Sequence, residues 1–322
     1  MIVLGVDGGQ TATKACLYDS GSGRVWRATG PPIDHLSTPD GIEIAYKGIS
    51  QTLTALTAKL GRPIRADAAV VGMSGITKRH EPLVRRWVRE AAEVDRVDVM
   101  GDSKTNLAGA TGGTDDGVLV IAGGGALGYI VDDEGRPHIS GGWGHVLGDE
   151  GSAYWIGLTA LRAAVARSDG RGEPTVLDRL LLDHFQAASF WQVKSGVHSG
   201  AIGRGRIAGL AALADRAADD GDAVARRIMA QAGACLGDLA VSVVRKVESL
   251  GKTAPRRIYP TGGVFRSVRW VKPAFETAVR EADPTRAIAR PLLPPEAGAA
   301  LLAARLAGGD VTAALLRDYD DE

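Results

Sequence analysis

Gly141-Gly142-Trp143-Gly144-His145-Val146-Leu147-Gly148-Asp149-Glu150-Gly151-Ser152-Ala153-Tyr154-Trp155-Ile156-Gly157 holds five glycines in its first eleven residues and then passes directly into a helical pattern. Glycine costs about 0.5 to 1 kcal/mol relative to alanine wherever the chain is ordered, so such a run signals tight turns or backbone pressed against a ligand. Asp149 and Ser152 also stand where side chains cap a helix, and for a lone Asp-x-x-Ser that reading is sufficient. Two further glycine turns precede the loop, each after an apolar strand-like run. Asp7-Gly8-Gly9-Gln10-Thr11 follows residues 2–6, and Gly123-Gly124-Gly125 follows residues 117–122. Three such turns on one chain point to a nucleotide site.

The 322 residues suffice for two ordinary domains, and 45% hydrophobic with 24% charged residues describes a soluble globular chain able to bury sizeable cores. Thirty-eight basic residues balance thirty-eight acidic ones, which removes the global electrostatic argument for nucleic acid or an anionic membrane as partner. The start, Met1-Ile2-Val3-Leu4-Gly5, has only three or four apolar residues and no basic flank, fitting neither a signal peptide nor a spanning helix. A cytoplasmic location is the expectation. Cys16 and Cys235 lie far apart in strand-like and helical runs, as buried small residues do, and the six histidines show no clustering of the zinc type.

Strands are expected over 2–6, 15–18, 24–29, 68–73 and 97–100, with helices over 41–60, 81–93 and 105–110. The pattern restarts with a strand at 117–122. From Ser152 onward the chain reads as mainly helical, with a long helix over 222–250, a strand at 257–261 ending in Gly262-Gly263, and a last helix over 296–306.

Asp7 with Gly8, Gly9, Gln10 and Thr11 puts backbone N–H groups, a hydroxyl and a carboxylate in one hairpin turn. Such a turn can cradle polyphosphate and hold magnesium through water, although Asp-Gly is also a favoured hairpin turn in its own right. Gly123, Gly124 and Gly125 suit a second phosphate cradle, and Gly262 and Gly263 allow close approach of a base or ribose.

In this order the motifs resemble the sugar kinase, heat-shock ATPase and actin superfamily, and within it the BadF/BadG/BcrA/BcrD group that includes N-acetylglucosamine kinases. The resemblance covers nearly the whole chain, and the opening loop is its most specific piece. It implies an α/β fold of two ribonuclease-H-like, actin-like ATPase domains around a central cleft. The first would span 1–112, completed by a C-terminal helix within 292–322, and the second 113–291 with helical insertions.

By the same resemblance Asp102, after the strand at 97–100, is the general base toward a sugar hydroxyl. A cap of the following helix is its plain alternative, and both roles are compatible. Asp149 becomes a hydroxyl acceptor backed by Gly142 and Trp143, with Ser74 and Gly75 near the sugar. Asp34 and His35 form a second sugar contact in which Asp34 takes the place of a family asparagine. An ionised aspartate only accepts, so the change suits either the amine of glucosamine or another hydroxyl. Gly124 and Ala126 stand where the family often carries threonine and serine, leaving backbone N–H groups alone to hold phosphate. Gln10 replaces a glycine, and Ala12 a common basic residue for which Lys14 is the available substitute.

The resemblance thus implies an ATP- and Mg-dependent kinase of an amino sugar, N-acetylglucosamine or glucosamine, acting on a small molecule and forming a homodimer. Two other classes remain open on the sequence: an ATPase that activates a dehydratase or reductase, and a non-catalytic sugar or nucleotide sensor. The first needs cysteines to hold an iron–sulfur cluster, for which Cys16 and Cys235 are poorly placed. The second is motivated by the hydroxyl-free turn at 123–126.

Overall fold

The computed structural model describes residues 1–33, 36–38 and 40–319. It divides the chain into two compact units, Met1–Gly117 with Arg290–Glu322, and Val118–Ala289.

The first unit begins with β1 (Ile2–Gly8), β2 (Thr13–Asp19) and β3 (Arg24–Gly30). Then come α1 (Gly41–Leu60), β4 (Arg65–Met73), α2 (Glu81–Ala91), β5 (Glu93–Gly101) and α3 (Asp102–Thr111). Its sheet runs β3-β2-β1-β4-β5. β1 pairs antiparallel with β2 and parallel with β4, and β4 pairs parallel with β5. Residues 3–6 are apolar without alternation because both faces of the strand are covered. Leu4 and Val6 join Ile49, Leu53, Val84 and Trp87 of α1 and α2, whereas Val3 faces the opposite core. β5 starts earlier than the apolar run at 97–100 suggests, since Glu93 N–H bonds Ile64 O and Glu93 pairs with Arg65; this also ends α2 at Ala91.

The second unit contains β6 (Val118–Ala122), β7 (Ala126–Val131), β8 (Pro137–Gly141), α4 (Ala153–Ser168), α5 (Leu177–Phe185) and α6 (Phe190–His198). It continues with α7 (Arg204–Asp219), α8 (Ala223–Glu248), β9 (Arg257–Thr261), α9 (Gly263–Ser267), α10 (Val271–Ala282) and β10 (Ala287–Ile288). The sheet order is β10-β9-β6-β7-β8, with β6, β7 and β8 antiparallel and β9 parallel to β6. A three-stranded meander followed by two parallel strands therefore occurs in both units, which is the ribonuclease-H-like arrangement expected from the sequence. β7 and β8 lie outside the strands expected from the sequence. β7 is interrupted by Gly128, where a Cβ would fall 2.7 Å from Leu239 O, and β8 begins at a proline, as an edge strand tolerates.

α8 is long and apolar enough to cross a membrane by length and composition, with a mean hydropathy of 1.3 in its most apolar window. Half of that window is buried, and Ile228, Met229, Leu236 and Val243 belong to the core of the second unit. Its hydrophobicity is that of a central core helix.

The chain then returns to the first unit with α11 (Pro295–Leu306) and α12 (Thr312–Asp318), so the helix at 296–306 is not the last element. α11 is small-residue-rich because it lies close against both β1 and α3. A Cβ on Gly5 would fall 2.0 Å from Glu296 O, and one on Gly298 would fall 2.1 Å from Thr105 O. Ala297, Ala300, Leu301 and Leu315 close the core that contains Val3, Cys16, Tyr18 and Val70.

Candidate functional site

In the first unit the expected site residues collect at the carboxyl ends of three adjacent strands. Gly8 at the end of β1 pairs with Met73 at the end of β4, and Met73 pairs with Gly101 at the end of β5. Asp7, Ser74 and Asp102 therefore follow one another along a single sheet edge, the edge at which open α/β sheets hold their ligands. The turn after β1 is braced from three directions. Gly9 N–H bonds Ala12 O at 3.2 Å, Ile33 N–H bonds Gly9 O at 3.1 Å, and Ser74 N–H bonds Gly8 O at 3.2 Å. Asp7 Oδ2 lies 3.9 Å from the position a Gly9 Cβ would take, so its carboxylate overhangs the turn. Gln10 is half-buried, Thr11 is exposed, and Gly75 adopts φ +68° just beyond Ser74.

Asp102 is the first residue of α3 and half-buried. Gly101 occupies the N-cap position, so the cap reading does not account for Asp102. Its carboxylate accepts from Ser103 Oγ at 3.5 Å and its carbonyl from Thr105 Oγ1 at 2.9 Å. Asp34 and His35 lie outside the described residues.

The second unit brings its expected residues to the corresponding edge of its own sheet. Ile121 pairs with Thr261, so the turn at Gly123, Gly124 and Gly125 and the turn at Gly262 and Gly263 are neighbours. Gly262 has φ +99°, and a Cβ there would fall 2.2 Å from Ala122 O. Gly123 and Gly263 differ, since a Cβ on either would meet nothing within 4 Å. Gly123 O accepts from Ala153 N–H at the start of α4 at 2.9 Å, which anchors the turn.

The long glycine loop returns to this turn. Gly142, at φ +72°, donates to Ala126 O at 2.9 Å. Trp143 is 74% exposed, and Val146 and Leu147 are exposed beside it. Ser152 caps α4 by accepting from Trp155 N–H at 3.2 Å, which leaves Asp149 available for another task. Asp149 sits in the left-handed region at φ +62°, which aspartate tolerates better than most residues, and is 3% exposed. Its Oδ1 accepts from Ala126 N–H at 3.2 Å, and its Oδ2 pairs with Arg204 Nη2 at 3.1 Å. A Cβ on Gly125 would fall 2.9 Å from Asp149 Oδ2, so only glycine admits the carboxylate at this place.

Arg204 was not visible from the sequence. It opens α7, and the nitrogen that pairs with Asp149 also donates to Gly124 O at 3.0 Å. Its guanidinium lies 5.9 Å from the ring of Tyr154, which meets His145 edge-on at 5.0 Å. The buried Nε has no hydrogen-bond partner among the described residues. A lone arginine at a helix start, 55 residues beyond Asp149, carries no local pattern that would have singled it out.

Among the described residues there is no group of three or more histidine, cysteine or acidic side chains placed to hold a metal. Cys16 is buried and Cys235 half-buried, and burial raises the Cys235 thiol above its ordinary pKa.

Two units with the same sheet order, each carrying glycine turns at its strand ends, define a protein of the actin-like ATPase and sugar kinase fold. The model of the BadF/BadG/BcrA/BcrD ATPase family matches residues 4–303, and the chain belongs to that family. Dictyostelium discoideum N-acetyl-D-glucosamine kinase is 30% identical over 313 residues, 94% of this chain and 97% of its own. Clostridium acetobutylicum N-acetylmuramic acid/N-acetylglucosamine kinase is 28% identical over 277 residues, 85% of this chain and 88% of its own. A crystal structure from Chromobacterium violaceum, provisionally named an N-acetylglucosamine kinase, superposes with a TM-score of 0.74 at 28% identity, covering 94% of this chain and 98% of that one.

Proposed function

We propose that this protein transfers the γ-phosphoryl group of ATP to a hydroxyl of an amino sugar, N-acetylglucosamine or glucosamine. The observation that carries the reading is the alignment of Asp7, Ser74 and Asp102 along one strand edge. A phosphate turn and a carboxylate able to take a hydroxyl proton are there built into one sheet. The names of relatives at 28% and 30% identity over most of the chain support the sugar class.

Both expected cofactors suit the residues present. Gly123 and Gly263 leave open space where a Cβ would stand, as backbone offered to a nucleotide requires. Asp7, overhanging the first turn, is a single carboxylate of the kind that holds magnesium through water while the remaining ligands come from phosphate. Bound magnesium would neutralise charge on the phosphates. Asp102 would orient the acceptor hydroxyl and take its proton as the new bond to phosphorus forms. Asp149 would accept from a second hydroxyl and fix the ring. Ser74, Gly75, Gly142, Trp143, Asp34 and His35 are proposed to complete the sugar contacts. Action in the cytoplasm as a homodimer belongs to the same proposal.

A coupled assay for nucleotide turnover across a panel of hexoses and amino sugars, with product mapping, tests the reading. Amino-sugar-dependent turnover is expected. Asp102→Asn should lower kcat by about 10² to 10⁴-fold while ATP still binds. Full sugar-dependent turnover in that variant would remove Asp102 from its role, and turnover with no sugar on the panel would return the chain to the other ATPase activities of its family.

A further inference from the structure

The second unit places a carboxylate where a polyanion is to bind. Asp149 is nine-tenths buried, and its oxygens lie on the Gly125–Ala126 backbone of the proposed phosphate turn. A negative charge fixed there repels an incoming phosphate and occupies one of its N–H donors. The turn also lacks side-chain hydroxyls, since Gly124 and Ala126 have none. One group in the structure answers both difficulties. A single nitrogen of Arg204 bonds Asp149 Oδ2 and Gly124 O together, so its cation stands on the carboxylate and on the turn at once. Tyr154 backs the guanidinium, and its Nε has no partner among the described residues, leaving hydrogen-bonding capacity unspent.

We propose that Arg204 is a positioning residue whose charge offsets that of Asp149, allowing one turn to carry both a sugar-binding carboxylate and the nucleotide phosphates. The inference rests on the kinase reading. It assigns to Arg204 no contact with the reacting atoms. Lysine at this position keeps the charge and loses the planar fork, whereas glutamine keeps a donor and loses the charge. Asparagine at 149 removes the repulsion while tolerating the same left-handed backbone.

The experiment is calorimetric titration of the full-length protein with ADP in magnesium buffer, with a thermal melt of every variant. Arg204→Gln is expected to weaken ADP binding about tenfold, and Arg204→Lys to stay within about threefold of the parent. Adding Asp149→Asn to Arg204→Gln should restore ADP affinity to within about threefold of the parent, because the uncompensated charge has gone. A merely structural pair would also recover in the double variant, so the melts separate the cases: a structural arginine lowers the melting temperature of Arg204→Gln in step with its ADP affinity, which would overturn the proposal, whereas charge compensation weakens ADP binding at a nearly unchanged melting temperature. Unchanged ADP affinity in Arg204→Gln, or a double variant as weak as the single one, overturns the proposal. If Arg204→Gln does not fold, Asp149→Asn alone still decides. It should bind ADP at least as tightly as the parent while its sugar KM rises, and weaker ADP binding would sink the idea. A parent protein that binds no ADP removes the kinase reading along with this inference, whereas a parent that binds while the variants do not differ removes the inference alone.

Discussion

A glycine can be required by the protein or by what the protein binds, and two glycines of the second unit separate the cases. At Gly262 a methyl group would collide with Ala122 O at 2.2 Å, and the φ of +99° disfavours any side chain, so the fold itself requires glycine. At Gly123 a methyl group would meet nothing within 4 Å, and φ is outside the left-handed region. Gly123→Ala should therefore change stability by no more than about 0.5 kcal/mol. If nucleotide phosphates pack on this turn, the same methyl group should raise the ATP KM by about tenfold or more. A thermal melt beside an ATP titration reads both effects, and an unmoved KM would mean that the turn does not face the nucleotide. The glycine turns were legible in the sequence because backbone freedom is a local property. Which of Asp149 and Ser152 caps α4 was not, because the two are equally good caps three residues apart and only the structure shows that Ser152 accepts from Trp155 N–H. Arg204 was illegible for a different reason, as its partners lie 55 and 80 residues away.

Among the elements, those with strong apolar runs were the ones the sequence disclosed. β1 and β6 are buried on both faces and read as near-continuous hydrophobic segments. β8, Pro137–Gly141, is half-exposed, polar and an edge strand, so no period marks it. The turn of the β7–β8 hairpin carries an ion cluster of its own residues, Asp132, Glu134, Arg136 and His138, joined by the distant Lys252. Burial of Asp132 works to raise its pKa. Hydrogen bonds from His138, the Arg136 N–H, Lys252 and the Glu134 N–H outweigh that, and hold the carboxyl well below the usual carboxylate range. Lys252, 9% exposed, bridges Asp132, Asp133 and Glu134 at 2.8 to 3.0 Å, and these contacts hold its pKa above the ordinary lysine value. A carboxyl with a depressed folded pKa contributes stability that is complete above its unfolded pKa, about 4, and is lost as the pH falls through the folded value. Asp132→Asn should accordingly be less stable than the parent at pH 7, with the difference shrinking as the pH drops below about 4. Urea melts at pH 7 and pH 3 measure it, and a pH-independent difference would assign Asp132 a packing role alone.

At the scale of the molecule, the decisive feature is that the first unit is made from both ends of the chain, whereas the second is one continuous segment, Val118–Ala289. α11 and α12 cover a face of the first sheet that would otherwise expose Val3, Cys16, Tyr18 and Val70. Tyr18 OH donates to Asp318 Oδ2 at 2.8 Å across 300 residues of sequence. Burial first, and then that bond, push the Tyr18 hydroxyl up to about 12. Burying a large apolar side chain contributes roughly 1.5 to 3 kcal/mol, so uncovering four at once forfeits about 6 to 12 kcal/mol, comparable with the 5 to 15 kcal/mol by which a domain is usually stable. A chain ending at Ala289 is therefore expected to lose the first unit's cooperative unfolding and keep the second's. The tryptophans report the two separately, since Trp26 and Trp87 belong to the first unit and Trp143, Trp155, Trp191 and Trp270 to the second. In the truncated protein, Trp26 and Trp87 retained as sole fluorophores should be solvent-exposed in the absence of denaturant, while residues 118–289 expressed alone should melt in a single step. A native-like emission from Trp87, which is 4% exposed in the intact chain, would show that the first unit folds without its returning helices.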